Sequence, residues 1–254
     1  RFEGQDLQQL KKGTSDAEKV TVSFYVKGNA NATYTLELRD NDNSRSNSQE
    51  FSVTTSWNRV SMTFDGDTSG ALDNDNALSL KCNIWLHGGS TYTGGTHTSN
   101  TWHGTNNQRV GDNQTSFFDS TDRTFFVTGW QMEVGSQATP FEHRSFGEEL
   151  DLCERYFKRL EVGNNTRIST AAYADTTSRA RFVIYHTPEM RQAPTAAETN
   201  LDLEGTDTDA IATAGTNDLS DVIITRSAGS HSTGDILQVH TGSTVATLDF
   251  DAEL

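Results

Sequence analysis

The residues best suited to ligand chemistry are two aromatic side chains that fall out of phase within alternating stretches. Trp85 lies on the polar side of residues 78–86, beside Lys81 and Asn83, and Tyr25 is out of phase with the apolar residues around it. An exposed ring among amides and charges suits stacking on a sugar, whose apolar face packs on the ring while its hydroxyls take hydrogen bonds. The alternative is that a loop, a helix or another chain covers this face and buries Trp85 without a ligand.

A second group of candidate residues lies in a long stretch rich in Gly, Ser, Thr and Asn, residues 87–124. It far exceeds the usual connection of about four to six residues, and loops of that length are commonly functional. It carries Tyr92, Trp102 and His103 among glycines that let the backbone shape a rim. Such rings either contact a ligand or anchor the loop to the fold, and the sequence leaves both interpretations open.

The sequence has no signature of a metal centre or a catalytic centre. No zinc-ligand spacing, GxSxG elbow or phosphate-binding Gly-Lys pair occurs, so we predict no enzyme and no cofactor. A carboxylate pair for glycoside hydrolysis, such as Glu133 with Glu142, stays open because nothing selects it. Six aspartates in turn-rich stretches could hold a structural calcium ion, although aspartate is ordinary in turns: Asp40, Asp42, Asp65, Asp67, Asp73 and Asp75.

Period-two alternation of apolar residues predicts the strands that must position these side chains. It runs through residues 20–26, 34–38, 60–64 and 78–86. Residues 125–134 are apolar on nearly both faces, with Phe126, Trp130 and Met132 expected on one side. We therefore expect that strand to lie centrally in its sheet.

One segment departs from the β pattern and predicts a helix over residues 145–160. Ser145 and Glu148 form a capping box at its start. Its apolar residues recur at helical spacing: Phe146, Leu150, Cys153, Phe157 and Leu160. The stripe could form a short trimeric bundle or dock onto the preceding domain.

Alternation returns in residues 179–186, 221–226, 235–240 and 243–250, whereas the acidic stretch 194–218 predicts a solvated loop or weak edge strands. The fold class is therefore all-β. We predict a β-sandwich over residues 1–144, a linking helix over 145–160 and a smaller C-terminal β tip domain over 161–254.

Charge and composition restrict the class of partner. The formal net charge is −15, so the chain as a whole would repel nucleic-acid phosphates and anionic lipid. No apolar run approaches the roughly 20 residues that span a bilayer, so we expect neither nucleic-acid binding nor membrane insertion. Cys82 and Cys153 are too few for a disulfide scaffold, and we predict two buried thiols. The start at Arg1, with no Met or signal peptide, suggests a segment of a longer protein.

Three blocks of sequence carry a family resemblance: residues 8–29, residues 128–157, and MRQAPT with the terminal DAEL. They resemble tail-fibre and appendage proteins of tailed phages. The resemblance implies a jelly-roll sandwich like that of carbohydrate-binding modules, here without its first strands. The long middle block matches at Gly129, Gln131, Glu133, Gly135, Ala138, Thr139, Phe141, Glu142, Arg144, Glu148, Glu149, Leu150, Cys153, Arg155 and Tyr156.

On this resemblance we expect a virion structural protein, a distal tail-fibre component that assembles as a homotrimer, binds other tail or fibre subunits and contacts host-surface glycans. The glycan-binding candidates are Trp85, Lys81, Asn83, Tyr25, Tyr92, Trp102 and His103. The alternative is a head or tail decoration protein without glycan binding. A depolymerase would need a grooved solenoid or a carboxylate pair at catalytic separation.

Overall fold

The computed structural model describes residues 1–204, 206–208, 210–225, 231–241 and 244–253, without the side chains of residues 170, 206 and 207. The chain divides into two units, Arg1–His143 and Arg144–Glu253, both built of antiparallel strands. The prediction of an all-β protein is confirmed. Within the described residues, no helix combines the length and the apolar character needed to cross a membrane.

The first unit is a sandwich of two sheets, ordered β1-β6-β3-β4 and β5-β2-β7. Its strands are β1 (Phe2–Glu3), β2 (Val20–Gly28), β3 (Ala32–Asp40), β4 (Arg45–Val53), β5 (Asn58–Phe64), β6 (Leu78–Trp85) and β7 (Phe125–Val134). Short helices lie at Gly4–Leu10, Ser90–Thr93 (α1), Asn106–Gln108 and Phe117–Asp119. The four strands predicted from residues 20–26, 34–38, 60–64 and 78–86 are confirmed, while jelly-roll connectivity stays a prediction.

The core of this unit lies between the two sheets because alternate residues of each strand point inward. Phe24 of β2 and Leu36 of β3 are fully buried. The Phe24 ring stacks on Trp130 at a centroid distance of 4.9 Å and meets Phe51 edge-on at 5.2 Å. Each such side chain contributes about 1.5–3 kcal/mol by leaving water, so the alternation fixes which face of each sheet turns outward.

Strand β7 corrects one prediction, because it lies at the edge of its sheet and pairs only with β2. The pairing shifts at Gly129, which has a φ of +60° and forms a bulge opposite Phe24. The extra residue reverses the phase of the alternation, so Phe125 and Trp130 both pack against the core. Phe126, which strict alternation assigned to the side of Trp130, is exposed on the outer face instead.

The predicted helix is real but shorter than expected. Its capping box is confirmed: Ser145 Oγ accepts a hydrogen bond from Glu148 N, and the Glu148 carboxylate accepts one from Ser145 N. The helix α2 spans Phe146–Glu154, and residues 157–162 form strand β8 (Phe157–Val162), because that stretch pairs residue by residue with a C-terminal strand. Cys153 is exposed, so the prediction of a buried thiol there was wrong. Burial raises the pKa of Cys82 to about 12.

In the second unit, the described residues form a seven-stranded sheet, β13-β12-β16-β9-β10-β15-β14, and a three-stranded sheet, β11-β17-β8. The remaining strands are β9 (Arg167–Thr176), β10 (Arg179–Tyr185), β11 (Thr195–Thr199), β12 (Leu201–Leu203), β13 (Thr206–Asp207), β14 (Ala210–Gly215), β15 (Leu219–Thr225), β16 (Ile236–Thr241) and β17 (Ala246–Asp251). Residues 194–218 thus contain short strands, of which β11, β13 and β14 are edge strands. The predicted strand ends at Arg226 and Ser243 lie outside the described residues.

Candidate functional site

Residues 87–124, here called the covering loop, lie against the outer face of the four-stranded sheet. That face carries polar side chains, and the loop satisfies them. Gly111 N donates to Thr35 Oγ1 at 3.0 Å, and Asn113 N donates to Glu50 Oε1 at 2.7 Å. A backbone bridge joins His103 to Ser46 in both directions, at 2.7 and 2.9 Å. The loop is therefore held by hydrogen bonds spread along its length.

The centre of this face is Glu37, whose side chain is fully buried. Arg109 Nε donates a hydrogen bond to Glu37 Oε1 at 2.6 Å, and Arg109 Nη2 donates one to Glu37 Oε2 at 3.0 Å. Asn83 Nδ2 and Trp85 Nε1 also donate to Oε2, at 3.0 and 2.8 Å. Burial raises the pKa of Glu37, but the hydrogen bonds from Arg109 and Asn83 outweigh burial and bring the pKa below its ordinary value. Glu37 is therefore held as a carboxylate.

Trp85 and Tyr92 meet above this carboxylate, with ring centroids 4.8 Å apart. The Arg109 guanidinium lies 5.2 Å from the Trp85 centroid and 5.3 Å from the Tyr92 centroid. The Trp85 N–H thus donates to Glu37, and the Trp85 ring contacts Tyr92 and Arg109. Both rings are half-buried. This geometry supports the anchoring interpretation for Trp85, Tyr92 and Asn83.

Trp102 and His103 have other partners. Trp102 Nε1 donates to the carbonyl of Asp65 at 2.7 Å, and the ring packs against the core beneath the Lys12 ammonium. His103 Nδ1 accepts a hydrogen bond from Thr105 N at 3.2 Å, and burial lowers its pKa. These contacts again connect the covering loop to the sandwich.

Two sequence candidates remain accessible. Lys81 is half-buried on the outer face of β6, and Tyr25 is 40% exposed on the outer face of the three-stranded sheet. Tyr25 pairs in register with Arg59 on β5 and Thr128 on β7. The structure therefore separates Tyr25 from the Trp85 group, since the two belong to opposite sheets of the sandwich.

Around Tyr25 the structure reveals an aromatic patch, defined as Tyr25, Lys27, Trp57 and Phe126. The Lys27 ammonium lies 5.3 Å from the Trp57 ring centroid and 5.4 Å from that of Phe126. Trp57 and Phe126 are 48% and 49% exposed. Lys27 follows Tyr25 by two residues on β2, so both side chains share the outer face. Sequence reasoning missed Trp57, which precedes β5 in a polar turn, and misplaced Phe126 because of the bulge.

The long block that resembles phage proteins has a structural explanation in this sheet. After Gly135, which has a φ of +116°, the chain folds back over the outer face of β7. The backbone N and the Oγ1 of Thr139 donate hydrogen bonds to the Glu133 carboxylate, at 3.1 and 2.5 Å. Glu142 N donates a hydrogen bond to Gln131 Oε1 at 2.8 Å. Gln131 and Glu133, two residues apart on β7, therefore hold the segment that folds back over the strand. Glu133 therefore has hydrogen-bond partners within the fold-back.

Two of the aspartates considered for calcium form buried ion pairs. Asp40 and Asp67 both bind Lys12, and Asp67 also accepts from Arg45 Nε at 2.7 Å. Over the described parts of the chain, no three His, Cys, Asp or Glu side chains gather closely enough to hold a metal ion.

No protein-family model matches the chain, and no curated protein matches it significantly.

Proposed function

We propose that the chain is a structural protein of a tailed-phage virion, a distal tail-fibre component that contacts host-surface glycans through the aromatic patch. The phage assignment is supported by the resemblance in the blocks at residues 8–29 and 128–157. The glycan assignment depends on one observation: Tyr25, Trp57 and Phe126 are each about half exposed around Lys27 on the outer face of the three-stranded sheet.

The chemistry of the patch suits a sugar. A pyranose presents a face of C–H groups that packs on an aromatic ring, and its hydroxyls need donors and acceptors at the edge of that ring. Here the Lys27 ammonium and the Thr128 hydroxyl are on strands that border the rings. Because exposed large apolar side chains normally cluster where something binds, the patch is the favoured contact surface of the first unit.

Attachment by such a patch requires several copies. A single shallow site binds weakly, near millimolar, and repeated sites raise the overall avidity by about 10² to 10⁴ through effective concentration. A homotrimer at the end of a fibre supplies that repetition. The apolar side chains on α2, including Phe146 at 82% exposure, support self-association.

The direct test is a glycan array probed with the wild-type chain and with Trp57→Ala and Phe126→Ala variants. We expect binding by the wild type and a loss of about five- to twelvefold in each variant, since stacking on one ring contributes on the order of 1–1.5 kcal/mol. Tyr185→Ala is the matched control, because Tyr185 is a 74% exposed ring of the second unit and is not part of the patch. Absence of signal from the folded wild-type protein would reject glycan binding.

A second candidate function has its own observation. The outer face of the seven-stranded sheet carries Tyr173, Val183, Tyr185 and Ile236, all about half exposed or more. Such an apolar face suits contact with another protein. A head or tail decoration protein would use this face for virion subunits and would bind no glycan, so the same array separates the two functions. Release of reducing sugar from host polysaccharide would instead indicate a depolymerase.

A further inference from the structure

The position of Lys27 says which kind of sugar the aromatic patch would prefer. Resting on the proposed glycan contact, we infer that the patch selects sugars that carry a carboxylate, such as uronic or sialic acids, over their neutral counterparts.

Among the described residues, Lys27 has no anionic partner. In the part of the chain that the structure describes, no carboxylate lies within 4 Å of its ammonium, and its contacts are the Trp57 and Phe126 rings. Cation–π contacts hold a cation in place but leave its charge uncompensated. A bound carboxylate would supply that compensation.

The neighbouring cation on the same face differs in this respect. Arg59 Nη2 donates to Ser23 Oγ at 3.3 Å and to the carbonyl of Thr139, and its charge helps to lower the pKa of Glu133. Arg59 thus belongs to the fold-back of residues 135–142. Lys27 has no comparable structural role among its contacts, so its charge is available to a ligand.

The Lys27 ammonium lies over both rings at nearly equal distances from their centroids, so a sugar that packs on the remaining exposed part of either ring lies beside Nζ. A carboxylate there would form a charge-assisted hydrogen bond beside apolar surface, and such bonds are roughly twice as strong as those between neutral groups.

With a net charge of −15, the chain gives acidic glycans no general attraction. At physiological salt the Debye length is about 8 Å, so distant carboxylates are screened and a contact cation decides selectivity. Preference for acidic sugars would therefore depend on Lys27 itself.

The experiment uses an array of matched pairs that differ only in the acid group: glucuronate and glucose, galacturonate and galactose, sialylated and asialo oligosaccharides. We compare the wild type with Lys27→Met, which keeps an apolar stem beside the rings, and with Trp57→Ala. Lys11→Met is the control, because Lys11 is an exposed lysine of the first unit that pairs with Glu18 and is not part of the patch.

We expect at least one acidic sugar to bind about tenfold more tightly than its neutral partner. Lys27→Met should remove that preference and leave neutral binding intact, whereas Trp57→Ala should weaken binding of both sugars and Lys11→Met should weaken neither. Equal binding of acidic and neutral partners, or an unchanged preference in Lys27→Met, would overturn the inference while the glycan contact stands. No binding to any sugar would overturn both.

Discussion

The guanidinium of Arg109 forms two hydrogen bonds with the fully buried carboxylate of Glu37, at 2.6 and 3.0 Å, across 72 residues of sequence. The same guanidinium lies against Trp85 and Tyr92. One ion pair thus joins the covering loop to the outer face of the sheet and places two rings for which the sequence left ligand contact and anchoring open.

We predict that Arg109→Ala destabilises the first unit by about 3–5 kcal/mol, because it leaves Glu37 charged, buried and without its main partner. All four tryptophans of the chain lie within residues 1–143, so denaturant unfolding followed by tryptophan fluorescence reports this unit. The double variant with Glu37→Gln should be less destabilised than Arg109→Ala, since the stranded charge is gone. A single-variant effect under about 1 kcal/mol would contradict the anchoring role.

The strands of the sandwich core could be predicted from sequence because period-two burial is a local property. Val22, Phe24 and Val26 are all fully buried as their spacing predicts. The position of β7 in its sheet could not be predicted, since apolar residues on both faces do not tell an edge strand from a central one. The bulge at Gly129 depends on pairing with Phe24, more than 100 residues away in the chain.

The candidate site was predicted only in part for the same reason. Out-of-phase rings identify Tyr25 and Trp85 equally well, yet one is 40% exposed and the other contacts Arg109. Whether a loop covers a sheet face depends on tertiary contacts that no local pattern records. The sequence predicts a helix as far as residue 160 because the step of three residues from Phe157 to Leu160 also fits a helix, although this stretch is a strand.

The Lys12 ammonium occupies a position that a metal ion could fill. It binds Asp40, lies 3.1 Å from Asp67 Oδ2 and donates a hydrogen bond to the carbonyl of Gly70 at 2.8 Å. The side chains of Lys12, Asp40 and Asp67 are all buried. Carboxylate and carbonyl oxygens are calcium ligands. We predict that Lys12→Ala loses about 3–5 kcal/mol of stability and that millimolar calcium raises the Tm of this variant but not of the wild type.

Tryptophan fluorescence again provides the measurement, since Trp102 lies 5.1 Å from Lys12 Nζ. Lys11→Ala is the matched control, because the neighbouring Lys11–Glu18 pair is exposed and such pairs contribute less than about 1 kcal/mol. A Tm of the Lys12 variant that calcium leaves unchanged would show that the oxygens cannot rearrange around an ion.

Gly129 should not tolerate a side chain. At its φ of +60° a β-carbon is strained, and it would lie 3.1 Å from Cδ2 of Tyr25. We expect Gly129→Ala to cost about 1–2 kcal/mol of stability and to weaken glycan binding by displacing Tyr25. Gly104→Ala, whose added carbon would meet nothing nearer than 3.8 Å, should be close to neutral. If Gly129→Ala and Gly104→Ala were equally stable in unfolding followed by tryptophan fluorescence, the expected strain at Gly129 would be excluded.

The first unit should lose stability in mild acid through His103. Burial lowers the pKa of His103 below 6.5, so the folded chain keeps the ring neutral while the unfolded chain takes up a proton. The stabilising contribution is complete above pH 6.5 and is lost as the pH falls through the lower, folded-state pKa. Unfolding free energies between pH 5 and 7.5 should show this decline, and His103→Asn, which keeps an acceptor for Thr105 N, should reduce the slope. If the unfolding free energies of the wild type and of His103→Asn depended on pH in the same way, the decline would be due to other groups.

The apolar face of α2 predicts the oligomeric state. Phe146 is 82% exposed and Leu150, one turn later, is 43% exposed, although exposure of large apolar side chains to water is unfavourable. A helix of nine residues is too short to associate alone, so any bundle would depend on the units that carry it. We expect sedimentation of the full chain to give about three times 27.9 kDa, and Phe146→Ser with Leu150→Ser to reduce this to the monomer mass. Tyr185→Ser, at an exposed ring outside α2, should leave the trimer intact. A monomeric wild type at tens of micromolar would exclude the trimer, and a trimer that survives both helix substitutions would assign its interface to another surface.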